Sequence, residues 1–321
     1  MKNKLDSVHL TGTNTRKMLS SALMAVICVL AFIAPMFVSK YVLRILIMLC
    51  VYAILSVSLN MVSGYLGEIS LGHSIFLAIG AYASSILVTK LTMNYWVSVL
   101  VAASIAGLFG ALLGLQTLKV SGAYLAIVSL GYYYVVRTII IIWEPVTNGA
   151  IGIFNIPAAT FFGEKLAIKN NGAYYHILVF LLLTLLVDHL VIHSKVGRAI
   201  QAIREDRLAA DMVGIYTDRY RIVAFAMSGF FAGLAGAFYG QFITYINPSN
   251  FTYDMSIMVL AMVLTVVLLC LNLMSARWSE AVGVALNAAL TVVSAPMVCS
   301  NFYVLPLFLW GTLLMGTFGK K

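Results

Sequence analysis

The chain has 321 residues, of which 62% are hydrophobic and only 10% charged, and its mean hydropathy is +1.00. Soluble domains carry about 25% charged residues, so a chain this apolar cannot cover a solvated surface, which excludes a water-soluble enzyme or binding module. The net charge of +9 fits basic cytoplasmic loops rather than a nucleic-acid partner, and the length is counted in membrane spans of about 20 residues.

Residues 1–18 form a polar, basic N-terminal tail. The apolar run from Leu19 to Val38 is too long for a signal h-region and is read as a first span. Polar punctuation then divides the chain into further apolar runs at 42–62, 71–89, 96–116, 122–143, 174–192, 221–244, 255–274, 281–298 and 302–318. These are apolar all round, which predicts helices rather than barrel strands, whose hydrophobicity alternates. Two or three of them suit re-entrant or broken helices.

Ten spans with the N-terminus inside place Lys2, Lys4, Arg16, Lys17, Lys119, Lys195, Arg198, Arg204, Arg207, Arg219, Arg221, Arg277, Lys320 and Lys321 on one side. The other side keeps Lys40, Arg44, Lys90, Lys165 and Lys169. The 14-to-5 excess sets both termini in the cytoplasm. The expected fold is an all-α polytopic membrane protein of about ten transmembrane or broken helices. It has a cytoplasmic tail at 1–18 and a single membrane domain at 19–321.

In chain order, the first unusual segment is Gly64-Tyr65-Leu66-Gly67-Glu68-Ile69-Ser70-Leu71-Gly72-His73. Three glycines lower its helix propensity, and irregular backbone at membrane depth is tolerated where it is buried in protein or lines a cavity. Gly64, Gly67, Glu68, Ser70, Gly72 and His73 are therefore candidates for a translocation path, an ordinary glycine-rich turn being the other reading. Glu68 needs a partner or water. His73 reads as a hydrogen-bonded packing residue more readily than as a ligand. Arg137, inside a span, either binds a substrate carboxylate or holds helices together, and Asp188 is placed to reach the membrane interface.

The outer segment 144–173 is long and moderately polar. The inner segment 193–220 is the densely charged part of the chain. Residues 195–214 read as one short amphipathic helix with Ala199, Ile203, Ala210 and Val213 on its apolar side, stopped by Gly214. A defined helix and stop suits docking to a soluble partner. There is no GxxxxGK[ST] loop, GxSxG elbow, HExxH or metal-ligand spacing, so no catalytic residue, cofactor or metal is expected, and nucleic acid is not a partner. Cys28, Cys50, Cys270 and Cys299 read as small core residues.

At this inner segment the sequence resembles a known family. Ala209-Ala210, three further residues and Gly214 are similar to the coupling-helix motif of ABC importer permeases, with Leu208 where a Glu is usual. The stretch Gly197–Ile215 more narrowly resembles the branched-chain amino acid permeases. So do Gly64 through His73 with Phe76 and Gly80-Ala81-Tyr82, and Tyr124–Val128 with Leu130-Gly131. Arg137, Trp143, Thr147, Gly149, Gly152-Ile153 and Ile156-Pro157 fit as well, as do Tyr220, Ala224-Phe225 and Ala232–Ala237. The likeness covers about 45–290. Two departures stand out. The second glycine-rich break of such permeases is replaced by Asn272–Glu280, and the Glu that often precedes the intramembrane Arg by three residues is Tyr134.

The resemblance implies a multi-pass protein of the bacterial inner membrane that pairs with a second, homologous permease. Two cytosolic ATPase subunits, which bind the ATP, would grip the segment around Arg198, Arg204, Glu205, Ala209, Ala210 and Gly214. An extracytoplasmic substrate-binding protein would dock near Thr147, Gly149, Gly152 and Pro157. Leucine, isoleucine or valine is the implied cargo, with urea, short amides or another small solute as alternatives within the family. An ion-coupled secondary transporter is the alternative from another class.

Overall fold

The structure, a computed structural model, describes residues 38–118, 120, 122–157, 160–161, 164–165 and 172–274, together with Phe32 and Pro35. The expected spans 281–298 and 302–318, nearly all of 19–38, both termini and the inner segment 275–280 lie outside the described residues. So do Cys28 and Cys299.

The seven other apolar runs are helical. Helix α1, Lys40–Asn60, runs on into a π-helical turn at Met61–Tyr65. Helices α2 (Ser74–Thr89), α3 (Tyr95–Thr117) and α4 (Ala123–Ile142) follow, then a single turn, α5 (Glu144–Thr147). After α6 (Gly172–His193) come two short helices, α7 (Lys195–Glu205) and α8 (Arg207–Met212), then α9 (Thr217–Ile243) and α10 (Tyr253–Met274). Among the described residues, five helices are long and apolar enough to cross a membrane: α1 with its π turn, α3, α4, α6 and α9. Helix α2 has only 16 residues, because residues 66–73 stay irregular where the apolar run had suggested helix from 71. The loop between α5 and α6 also departs from an all-helical fold, since Thr160–Phe161 pairs antiparallel with Glu164–Lys165.

Helix α9 is the axis of the packing, lying against α1, α2 and α3. Its composition explains this. Ala232–Ala237 and the glycines around it leave almost no side-chain bulk, and in lipid helices associate through such close van der Waals packing rather than through hydrophobic burial. The backbones of Gly80 on α2 and Gly233 on α9 touch so closely that a Cβ on Gly80 would overlap the Gly233 carbonyl. Helix α4 is peripheral and exposes Tyr124, Ile127, Val135 and Ile142.

A Cβ on Gly233 would itself overlap the Cβ of Ala106 on α3, so Gly233→Leu is expected to destabilise the bundle by about 1–3 kcal/mol, the usual cost of overpacking. Thermal unfolding of the detergent-solubilised chain is the check. Gly131→Ala is the control, because a Cβ there meets nothing within 4 Å; equal melting temperatures for the two variants would refute the packing account.

Candidate coupling site and glycine-rich break

The chain leaves α6 through Ser194, whose hydroxyl accepts from the amides of Val196 (3.1 Å) and Gly197 (3.4 Å) and so starts α7. Helix α7 buries Ala199, Ile200 and Ile203 against the bundle. The single amphipathic helix expected over 195–214 is in fact two. Asp206 takes an extended conformation, and its carboxylate caps α8 by accepting from Leu208 N (2.8 Å) and Ala209 N (3.1 Å). The capping preference of Asp thus overrides the apolar period, and Val213, expected on the buried side, is 78% exposed.

Helix α8 closes in a Schellman motif: Ile215 N donates to Ala210 O (3.1 Å) and Gly214 N to Asp211 O (3.0 Å), with Gly214 at φ +84°. Both bonds satisfy terminal carbonyls, and the left-handed residue between them favours glycine. Ala210 is buried, while Leu208, Met212, Val213 and Tyr216 stand exposed around the stop. The elbow therefore presents an apolar knob ringed by Arg207, Asp211, Asp218 and Arg219, a shape suited to a groove on another protein.

The glycine-rich stretch is a true break. After the π turn, Gly67 adopts φ +76° and Glu68 N donates to Val62 O at 3.1 Å. Residues 70–73 then dive into the bundle. Leu71 N donates to Ser129 Oγ (2.9 Å), and Gly72 lies directly against the Ser129 carbonyl. Ser70 and His73 are buried. His73 Nε2 lies 2.8 Å from Ser58 Oγ, which itself donates to Leu55 O. The hydroxyl has a single proton, so the imidazole is the donor of the pair. Buried polar atoms without a protein partner gather here: Ser63 Oγ, Glu68 Oε2, Ser70 Oγ and His73 Nδ1.

The break and the elbow meet through arginines. Arg204 Nη1 donates to Gly64 O at 2.6 Å. Arg221, 1% exposed, pairs with Glu68 and donates to Thr117 O (3.0 Å) and Val120 O (3.1 Å). Arg207 joins Asp218 (2.8 Å) and lies 3.4 Å from Leu118 O. These carbonyls lie at or just past the C-terminal ends of α1 and α3, where helices leave carbonyls unsatisfied and favour cations. Desolvation pushes the Glu68 carboxyl above its ordinary range, while the guanidinium groups of Arg221 and Arg207 pull it back.

The sequence alone places Arg221 among the cytoplasmic-side charges and not in the site. Its signal was its place at the start of an apolar run, where a charge needs a partner. Arg137 sits apart from this cluster, half-buried on α4 beside Tyr133, with Nε unpartnered. Asp188, near the inner end of α6, is 8% exposed with Oδ1 unpartnered.

On the loop after α4, Thr147 is buried and its hydroxyl contacts Ile140 O (2.6 Å) and Trp143 O (2.8 Å) while accepting from Gly149 N (3.2 Å). Gly152, at φ +84°, lies directly against Ile246 O, and Ile153 bridges Ile246. Thr147, Gly149 and Gly152 thus shape the loop from within. Ile151, Phe154 and Pro157 are among its exposed residues, with Phe154 stacked on Tyr245 at 4.6 Å.

Residues 41–317 match the family described as branched-chain amino acid transport system / permease component. The chain is 33% identical over 257 residues to the high-affinity branched-chain amino acid transport system permease protein LivM of Escherichia coli (strain K12), covering 73% of this chain and 60% of that protein. It is 27% identical over 212 residues to LivH of the same strain, named as a permease protein of the same transport system, covering 61% of this chain and 68% of that one. With BraD of Pseudomonas aeruginosa, another such permease protein, the identity is 24% over 215 residues, 61% of this chain and 69% of that protein. The chain thus spans about 60% of the length of the LivM proteins it matches. No solved structure matches it.

Proposed function

We propose, proceeding from the fact that this chain belongs to the family of branched-chain amino acid transport system permease components, that it is the membrane-spanning subunit of an ABC importer for leucine, isoleucine and valine. The observation that carries this reading is the α7–α8 elbow. It is a capped, rigidly stopped element whose apolar tip has no partner within the described residues and whose arginines reach the helix ends and the glycine-rich break.

In this reading the tip formed by Ala209 and Gly214 with Leu208, Met212 and Val213, backed by the buried Ala210, seats in a groove of a cytosolic ATPase. Two such ATPases bind and hydrolyse ATP, and this chain performs no catalysis and holds no cofactor. A second, homologous permease completes the pore, and a substrate-binding protein docks on the face of Ile151, Phe154 and Pro157. The chain crosses the bacterial inner membrane about ten times, with both termini in the cytoplasm. The break at Gly64–His73 borders the path, since a cluster of spare polar atoms suits a hydrated passage. Arg137, on α4 and apart from the break, remains a candidate for a substrate carboxylate. An ion-coupled mechanism draws less support, because Glu68 is already committed to Arg221.

Side-specific labelling tests the topology. Met212→Cys and Phe154→Cys, both at exposed positions, are expected to react with an impermeant maleimide from opposite faces of sealed vesicles. Reaction of both from one face would refute the arrangement. Co-purification is the second arm: an ATPase, a second permease and a binding protein should accompany the tagged chain.

A further inference from the structure

We infer that Arg204 and Arg221 are the positioning residues through which the elbow moves the glycine-rich break, Arg204 as a releasable latch on Gly64 and Arg221 as a fixed pivot on Glu68. The inference rests on the reading of the elbow as the ATPase-docking element. Its basis is an asymmetry between two links that join the same segments. Arg204 is exposed and holds the break by one hydrogen bond, to the Gly64 carbonyl at 2.6 Å. Arg221 is buried and holds Glu68 together with the carbonyls of Thr117 and Val120.

An exposed single bond opens at small cost, whereas a buried charge with several partners does not open alone. A force applied at the tip therefore acts on the break first through Arg204, while Arg221 fixes the base of α9 to the end of α3. Between the two contacts lies Gly67. A Cβ there would stand 3.0 Å from Arg204 Cγ, and its φ of +76° is one that glycine leaves and re-enters without steric penalty. The residues between the two anchors can then rotate about Gly67 when α7 shifts against α9. Local sequence gives no sign of this, since Gly64 and Arg204 are far apart along the chain.

The test uses the complete reconstituted complex of this chain, its partner permease, the ATPases and the binding protein. Arg204→Ala is expected to lower ATP-driven leucine uptake about tenfold, the scale of a lost hydrogen bond to a charged group. Hydrolysis should fall less, so that more ATP is consumed per leucine. Arg204→Lys, which keeps a donor and a charge, should restore most of the coupling. Gly67→Val perturbs the same contact from the other side and should also uncouple.

A second readout separates transmission from mere stability. Ile69→Cys, at a position 48% exposed, should label at different rates in nucleotide-free and nucleotide-trapped complexes, and Arg204→Ala should erase that difference. Wild-type ATP-to-leucine ratios in both Arg204→Ala and Gly67→Val, with the labelling difference intact, would overturn the latch. If ATPases bind and drive uptake in the wild type and Gly214→Trp releases them, the docking reading stands whatever Arg204→Ala does. If the wild-type complex shows no ATP-driven uptake, that reading fails and the latch with it.

Discussion

Replacing Gly214 by Trp is expected to abolish ATP-driven uptake and to release the ATPase subunits while the chain still inserts in the membrane. The cost has two parts. At φ +84° any L side chain is strained by about 1–2 kcal/mol, which loosens the Schellman closure and lets α8 fray. The indole then projects beside Leu208, Met212 and Val213, where the tip has to fit a partner. No atom lies within 4 Å of a Cβ at this position, so the bundle itself absorbs nothing and the fold survives. Gly214→Ala separates the two parts, since it carries the strain without the bulk and should retain measurable uptake. Co-purification of ATPase with each variant, alongside membrane abundance, is the check. Normal retention of ATPase by Gly214→Trp would remove the elbow from the docking surface.

Replacing Arg221 by Met is expected to destabilise the chain by about 3–5 kcal/mol, the cost of stranding one member of a buried ion pair. The Glu68 carboxylate would lose its partner, and the end of α3 would lose the donors to Thr117 and Val120. Glu68→Gln should cost less, because Arg221 keeps its carbonyl partners and the amide still accepts a hydrogen bond. The double variant Glu68→Gln/Arg221→Met should recover part of the loss, since no buried charge is then unpaired. Melting temperature in detergent and yield of monodisperse protein give the ranking: Arg221→Met lowest, the double variant next, Glu68→Gln nearest to wild type. Equal behaviour of Arg221→Met and wild type would show that the pair carries no structural load.

Much of this arrangement was legible locally. Hydropathy placed α1, α3, α4, α6 and α9 within a few residues of their observed bounds, because each needs only a long apolar run. Gly214 was legible as a helix stop because only its φ mattered. The split at Asp206 was not. Its side chain reads as one more polar residue on a helix surface, and the apolar spacing of Ala199, Ile203 and Ala210 continues through the break.

The candidate site was legible in its members but not in its connections. Glu68 announced the need of a partner, but only the packing of α9 against α1 and α3 brings Arg221 to it. Thr147, Gly149 and Gly152 were found as a motif, yet they are buried, and Ile151, Phe154 and Pro157 lie on the outer surface instead. The sequence marks which residues matter there without marking which way they face.

The central claim is that this chain conducts a branched-chain amino acid under the control of ATPases docked on its elbow. Uptake of radiolabelled leucine into proteoliposomes bearing the full complex tests it most directly. The expected result is uptake that requires internal ATP, an external binding protein and an intact Gly214, and that persists when ion gradients are collapsed. Leucine entry driven by an ion gradient without ATP, or ATP-driven uptake undiminished in Gly214→Trp, would contradict it.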